Sequence, residues 1–423
     1  MPSASPGSPL DDPALEQYRP FIQRRTQACM AEIERIRTLY GSLSAYAGQH
    51  LTFGAHRLTT PAGNIWRWRE YMPNAESLWL TTDKLNFQRH AKYRFERCAD
   101  GIFELELPGD ALQHGTYVEL RLVPAHAQDA QQHPGKALKR VPAFANWVEQ
   151  NAAVPEQWCA RLWLPDEPYR FKHHRPARQA FPRIYEAHVG MAQSAQAHKG
   201  DSVGSYADFC RDILPHIKAC GYTAVQLMGI LEHPLYKSFG YQVSSHASGN
   251  TEQGLAQYDG SRYFFTEQQN QWGTPSFDFS QEATRRFLLS NCRYWLEEFR
   301  VDGFRFDAVG NMLYADFGED DDFSHVGRCF YGKNGQPRAD VNGELYLNLA
   351  NALTHELAPS AMTIAEEFSG MPGLTCPPEQ GGLGFDYRFA MGIPDYWAKC
   401  IEEPRDMGSL WYEMTNHRPY DRT

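Results

Sequence analysis

The stretch VDGFRFDAVGNMLY, residues 301–314, sets an arginine and an aspartate two positions apart in an otherwise apolar run. Side chains alternate across a strand. Arg305 and Asp307 therefore share a face with Gly303, while Phe304, Phe306 and Ala308 turn the other way, toward covering helices. A lone buried charge is costly, and an opposite charge beside it offsets part of that cost. A structural ion pair satisfies this spacing as well as a catalytic one does. A second apolar run, TIAEEFSGMP at 363–372, ends in two carboxylates, Glu366 and Glu367. Carboxylates at the ends of neighbouring strands can divide the cleavage of a glycosidic bond. One attacks the anomeric carbon and the other protonates the leaving oxygen, roughly 5–5.5 Å apart when configuration is retained. Acidic strand ends are common, so the elements around the pair must support this reading.

After residue 183 those elements alternate in period. RIYEAHVG, TAVQLMGI, GFRFDAV, AMTIAEEF and GFDYRFAM read as strands, near 183, 223, 302, 361 and 384. SYADFCRDILPHIKACG, QEATRRFLLSNCRYWLEEF, GELYLNLANALTHELA and IPDYWAKCIEE read as helices, the first bent at Pro215. In the second, Phe287, Leu288, Cys292, Trp295 and Phe299 share a face. This alternation implies an α/β fold with a parallel sheet covered by helices, either a barrel or a doubly wound sheet. From about 244 to 280 no convincing helix or strand is found. Neither G-x-G-x-x-G after a strand nor G-x-x-x-x-G-K-[ST] occurs, so a dinucleotide or P-loop site lacks support.

Upstream, residues 1–12 read as structureless, and a helix follows with Gly41 as its stop. Between 50 and 124 the period falls to two. TYVELRLVP, IFELELPGD and NIWRWREYMPNAESLWLTTD give short alternating strands of a β-sandwich. The Pro-rich, basic stretch up to residue 182 reads as a linker.

Composition narrows the partners. With 42% apolar residues, 22% charged residues and a net charge of −10, the chain suits a neutral substrate such as a sugar and disfavours nucleic acid or an anionic membrane. No run approaches the length of a membrane span, and the N-terminus has no apolar leader segment. Nine scattered cysteines without a C-x-x-C argue against a disulfide framework or a zinc site and favour a reducing cytoplasm.

The segments RIYEAHVGM, YADFCRDILPHIKACGYTAVQLMGILEHPLYKSFGYQV, WGTPSFDFSQEATRRFLLSNCRYWLEEFRVDGFRFDAVGNMLY, TIAEEFSGMPG and GGLGFDYRFAMGIPDYW strongly resemble glycogen/starch branching enzymes of the alpha-amylase superfamily. LTFGAHR through YVELRLVP is similar to the glycogen-binding-type module that precedes those barrels. The resemblance implies an N-terminal helical segment (1–45), a β-sandwich carbohydrate-binding module (46–165), a linker (166–182) and an incomplete (β/α)8 barrel (183–423). It implies Asp307 as the nucleophile of a covalent glycosyl-enzyme, Arg305 as the cation that keeps it ionised, and Glu366 as general acid/base. Glu367 stands where an Asp is more usual. Tyr241 corresponds to an aromatic platform under the cleaved sugar and His246 to a histidine that hydrogen-bonds it. Trp66, Trp68 and Trp79 are candidate stacking residues of the module, although core packing suits at least one of them. The substrate implied is an alpha-1,4-glucan, whose 6-hydroxyl intercepts the intermediate, with no metal or organic cofactor.

The chain departs from the pattern in two places. FGYQVSSHASGN, residues 239–250, runs straight through a point where the family has a further helix and strand, and Tyr241 occupies the place of an expected Asp. The sequence also stops at MTNHRPYDRT, before the strand that carries the family's His-Asp pair. The expectation is an internally deleted, C-terminally truncated branching enzyme of impaired activity. The alternatives are a catalytically silent glucan-binding remnant and an amylolytic hydrolase of the same superfamily.

Overall fold

A computed structural model of the chain describes residues 7–125, 137–150, 158–192, 203–233, 240, 254–270, 272–273, 275–318, 323, 325–403, 406–415 and 417–422. The chain divides into two compact units. One comprises His50–His173 and Gln179–Asp278; the other comprises Met1–Gln49, His174–Arg178 and Phe279–Thr423.

The first unit is built on period-two segments. Its strands are β1 (Gly54–Thr60), β2 (Gly63–Tyr71), β3 (Ala75–Thr82), β4 (Glu96–Arg97), β5 (Ile102–Pro108), β6 (Tyr117–Pro124), β7 (Leu138–Arg140), β8 (Val148–Gln150) and β9 (Trp158–Arg161). They form two antiparallel sheets, ordered β1-β2-β5-β4 and β3-β6-β9-β8, with β7 paired to β6. Alternation sorts each strand into faces. Trp66, Trp68, Phe103, Leu105 and Leu107 are buried on one sheet, and Leu78, Leu80, Val118, Leu120 and Leu122 on the other. The expected β-rich segment is therefore present as two sheets with apolar faces.

The same unit holds a parallel pair, β10 (Ile184–His188) and β11 (Ala224–Met228), in register from Ile184↔Ala224 to His188↔Met228. The crossover helix starts at Ser205, whose hydroxyl and Asp208 cap each other reciprocally. Pro215 has no N–H to continue the ladder. The chain accommodates it with one wide turn, in which the Leu214 N–H reaches back to the Phe209 carbonyl. Phe209 and Ile217 pack with Ala187 and Val189 over the pair. Two further strands, β12 (Phe265–Gln269) and β13 (Pro275–Phe277), form an antiparallel hairpin. This corrects the expectation of no strand between 244 and 280. Polar Thr266, Glu267, Gln268 and Gln269 hid β12, because a largely exposed strand needs no apolar alternation.

The grouping also corrects the expected boundaries. Residues 183–278 belong with the antiparallel sheets and not with the rest of the expected barrel domain. Buried polar bonds explain this. Arg140, 2% exposed, donates to the carbonyls of Gln257 and Tyr258, the Tyr258 hydroxyl donates to Glu70, and Asn74 and Asp259 bond each other. Such bonds hold because leaving these groups unpaired in the interior is expensive.

In the second unit the N-terminal segment is not a separate domain. Short turns at Pro9–Asp11 and Pro13–Tyr18, capped by Ser8 and Asp12, lead into a helix over Arg19–Tyr40. Residues 8–12 are thus structured, with Pro9 buried and the Ser8 hydroxyl donating to the Gln380 carbonyl at 2.7 Å. Gly41, at φ +83°, ends the helix as the sequence indicates. Inside it, buried Arg25 donates to the Pro372 carbonyl and pairs with Glu344 of the helix Val341–Leu357. The helix Glu282–Glu298 ends immediately before Phe299, whose ring is 51% exposed yet packs on Trp295 of the expected face, 4.4 Å between centroids.

Three parallel strands complete this unit: β14 (Gly303–Phe306), β15 (Met362–Ala365) and β16 (Tyr387–Arg388), in that order. Phe304 packs on Leu296, Ala358 and Ala361. All five expected strands of the α/β half exist, the last shortened to two residues. They lie in two sheets, β10–β11 and β14–β15–β16. The linker segment has no regular structure, and it contributes residues 174–178 to this unit. There Arg175 donates to the Leu296 carbonyl at 2.9 Å and Arg178 pairs with Asp386 at 2.7 Å. Among the described residues, no helix is long and apolar enough to cross a membrane.

Candidate active site

Gly303 sets the approach of β14 to β15. A Cβ at that position would lie 2.0 Å from the Met362 carbonyl oxygen, so only glycine admits the pairing. From Gly303↔Met362 the register runs through Arg305↔Ile364 to Phe306↔Ala365. Carried one step further, it sets Asp307 beside Glu366.

The chain then turns sharply. Ala308 adopts φ +47°, a left-handed conformation that costs a non-glycine residue about 1 kcal/mol or more. The turn aims two successive N–H groups at residue 366. Ala308 donates to Glu366 Oε2 at 2.6 Å, and Val309 donates to the Glu366 carbonyl at 3.0 Å. Glu366 returns its own N–H to the Phe306 carbonyl at 2.9 Å.

Arg305 lies between the acids. Its Nη1 donates to Asp307 Oδ1, and its Nη2 stands 3.7 Å from Glu366 Oε2. The guanidinium also sits over the Phe389 ring, just beyond β16, at 5.9 Å. The Arg305 side chain is 16% exposed and that of Glu366 19%, whereas that of Asp307 is 40% exposed. The reading that Arg305 and Asp307 share a face is met, and the guanidinium draws in a third group, Glu366. The arrangement offers one open carboxylate and one more enclosed carboxylate, both touching a single cation.

Glu367 points elsewhere. It is fully buried, accepts the N–H groups of Ser369 (2.6 Å) and Gly370 (3.2 Å), and pairs with Arg388 at 3.4 Å. It holds the loop after β15 and does not face the site.

The remaining expected residues divide into three groups. Tyr241 and His246 lie outside the described residues. Trp66 and Trp68 are each 3% exposed, with indole N–H groups bonded to the Leu112 carbonyl and to Glu70. A stacking platform needs an open ring face, so these two are core residues, a correction to the carbohydrate-stacking reading. Trp79 is half-buried, with the guanidinium groups of Arg89 and Arg94 over its ring at 4.9 and 5.4 Å. Sequence reasoning missed Phe389 and the Ala308 amide. The apolar run around Phe389 carries no sign of an arginine partner, and nothing in an alanine announces a left-handed turn.

No family model matches the chain. Curated relatives do. It is 33% identical to a 1,4-alpha-glucan-branching enzyme of Rhizophagus irregularis, over 99% of this chain and 65% of that protein. It is 34% identical to the horse (Equus caballus) 1,4-alpha-glucan-branching enzyme, over 97% of this chain and 63% of that one, and 34% identical to that of Emericella nidulans, over 97% and 64%. The chain thus spans a little under two thirds of the length of these relatives. The first alignment extends over 466 positions, more than the 423 residues of the chain, so the relative carries residues without a counterpart here. Among solved structures, a pullulanase from Bacillus acidopullulyticus superposes with a TM-score of 0.50 at 16% identity, over 76% of this chain and 42% of that one. That likeness speaks to the fold alone.

Proposed function

By sequence the chain is a homologue of the 1,4-alpha-glucan-branching enzymes, and we propose that its Asp307–Arg305–Glu366 constellation is built for transfer of an alpha-1,4-glucan segment through a covalent glycosyl-enzyme. The observation that carries this is the shared guanidinium: acids from two neighbouring strand ends meet the same cation. Asp307, the more open acid, attacks the anomeric carbon with its ionised carboxylate. Glu366 gives its proton to the departing glycosidic oxygen. Its Oε2 is engaged by the Ala308 N–H and by Arg305, so the transferable proton is assigned to Oε1. In the second half of the reaction Glu366 takes a proton from the acceptor's 6-hydroxyl, which displaces Asp307 and leaves an alpha-1,6 branch. In this reading β14–β15–β16 belongs to an alpha-amylase-type barrel, the antiparallel sheets are a carbohydrate-binding module, and Tyr241 and His246 are sugar-binding residues. The nine free cysteines suit a reducing, cytoplasmic setting.

A maltosyl fluoride donor tests the chemistry without requiring fast turnover. Incubation of the full chain should place one maltosyl group on the peptide carrying Asp307, detected by mass spectrometry. Glu366→Gln should lengthen the life of that adduct, and Asp307→Asn should abolish it. Absence of any adduct on Asp307 overturns the assignment. With amylose, falling iodine absorbance at constant reducing ends marks transfer, whereas rising reducing ends mark hydrolysis. The break at 239–250 predicts slow turnover in either case.

A further inference from the structure

The two buried tryptophans leave the sheet-bearing unit without the platform expected of it, and an aromatic cluster at another edge offers one. Trp163, just past β9, is 56% exposed, yet its ring is held on two sides. His114 meets it at 5.3 Å between ring centroids and Trp147 at 5.9 Å, both near-perpendicular. The backbone beneath is laced to the turn before β6. Gly115 donates to the Leu162 carbonyl (2.9 Å), Leu162 to the Thr116 carbonyl (3.0 Å), and Leu164 to His114 Nδ1 (3.0 Å). This last bond fixes the imidazole. Nδ1 accepts, so the proton of neutral His114 is on Nε2, and His114 is itself exposed. The site thus has a fixed, open indole and, at its edge, a directed N–H donor.

The charges against Trp147 are paired. Arg161 stacks on Trp147, with its guanidinium carbon 4.0 Å from the ring centroid, and pairs with Glu149 at 3.3 Å; Glu149 also accepts the Tyr117 hydroxyl. A phosphate-bearing ligand would need unpaired cations, and nucleobase stacking comes with the same requirement for the backbone. A pyranose needs neither. Its C–H face lies on an indole and its hydroxyls bond neutral donors and acceptors around the rim.

We propose that Trp163, braced by Trp147 and His114, is a glucan-binding platform separate from the Asp307–Glu366 site, taking neutral alpha-1,4-linked glucose chains. The inference rests on the glucan reading of that site for the identity of the sugar, but it concerns binding and not transfer. Trp147 and His114 stand at angles to Trp163 and not coplanar with it, which suits a curved chain better than a flat beta-linked one.

Binding by the full chain to maltoheptaose, with cellohexaose as comparison, tests this by calorimetry and by retardation in glycogen-containing native gels. Trp163→Ala should weaken maltoheptaose binding by about tenfold or more. Trp163→Phe should retain most of the affinity, and His114→Ala should lose severalfold. Unchanged binding in both Trp163→Ala and His114→Ala, no binding by the parent chain, or equal binding of cellohexaose overturns the proposal. If Trp163→Ala fails to fold, His114→Ala and Trp163→Phe decide. Transfer chemistry without Trp163-dependent binding leaves the active-site reading standing and sinks this one; Trp163-dependent binding without an Asp307 adduct does the reverse.

Discussion

Gly303→Ala tests the geometry on which the site depends. The added methyl would stand 2.0 Å from the Met362 carbonyl oxygen, about 1 Å inside the 3.0 Å that a Cβ tolerates, and 2.8 Å from the Met362 carbonyl carbon and amide nitrogen. These are backbone atoms of a paired strand and cannot rotate away. Relief requires β14 to move off β15. Overpacking of this kind costs about 1–3 kcal/mol. A weakened ladder hydrogen bond adds about 1 kcal/mol, and the positive φ of +155° at this residue adds roughly another 1 kcal/mol. The total is about 4 kcal/mol. For a unit of this size that lowers its melting temperature by about 8–16 °C. Gly335→Ala is the internal control: its φ is +72°, but nothing lies within 4 Å of the place its new methyl would take, so only the backbone term of about 1 kcal/mol remains. Calorimetry would give the melting of the two variants, and hydrogen exchange at the Phe304 and Ile364 amides would localise the loss. Since Asp307 and Glu366 sit just past this contact, Gly303→Ala should also lose the maltosyl adduct below its melting temperature. A Gly303→Ala variant within about 1 kcal/mol of Gly335→Ala, with exchange unchanged in β14 and β15, refutes the close-approach argument.

Two buried acids give further expectations. Burial pushes the Glu70 carboxyl from 4.5 up to about 7, against the opposing bonds from Trp68, Tyr258 and Ala143. The folded state therefore holds a proton that the unfolded chain has released, and stability falls as pH rises from 4.5 to about 7, by on the order of 3 kcal/mol, then levels off. Glu70→Gln should flatten that slope in calorimetry of the sheet-bearing unit; an equal slope in the variant contradicts it. Arg25→Met removes a cation whose side chain is 2% exposed and pairs at 3.7 Å with Glu344. It should cost about 3–5 kcal/mol in urea unfolding, because a charge is left buried without its partner. Burial already raises the Glu344 carboxyl above its usual range, so the loss should shrink as pH falls. A pH-independent loss would show that Glu344 is not the stranded group.

Local rules made much of this protein legible before its structure. Gly41 ended its helix, the period-two runs became antiparallel strands, and AMTIAEEF became β15 with its acids at the carboxyl end. These features depend on residues within one or two turns of each other, where backbone sterics and apolar periodicity act. The pairing of Arg305 with Asp307 was legible for the same reason: alternation alone places them together.

Tertiary structure decided the rest. Trp66 and Trp68 look like surface aromatics in a basic strand, but their face of the sheet is covered, while the less conspicuous Trp163 stays open. Period two says which residues share a face and cannot say which face is covered. The grouping of 183–278 with the antiparallel sheets follows from Arg140, Glu70 and Asn74, residues more than a hundred positions from their partners. The convergence of Asp307 and Glu366 on Arg305 needed both a glycine-only strand contact and a left-handed Ala308. An alanine takes that conformation only when hydrogen bonds from distant sequence, here to Glu366, repay its cost.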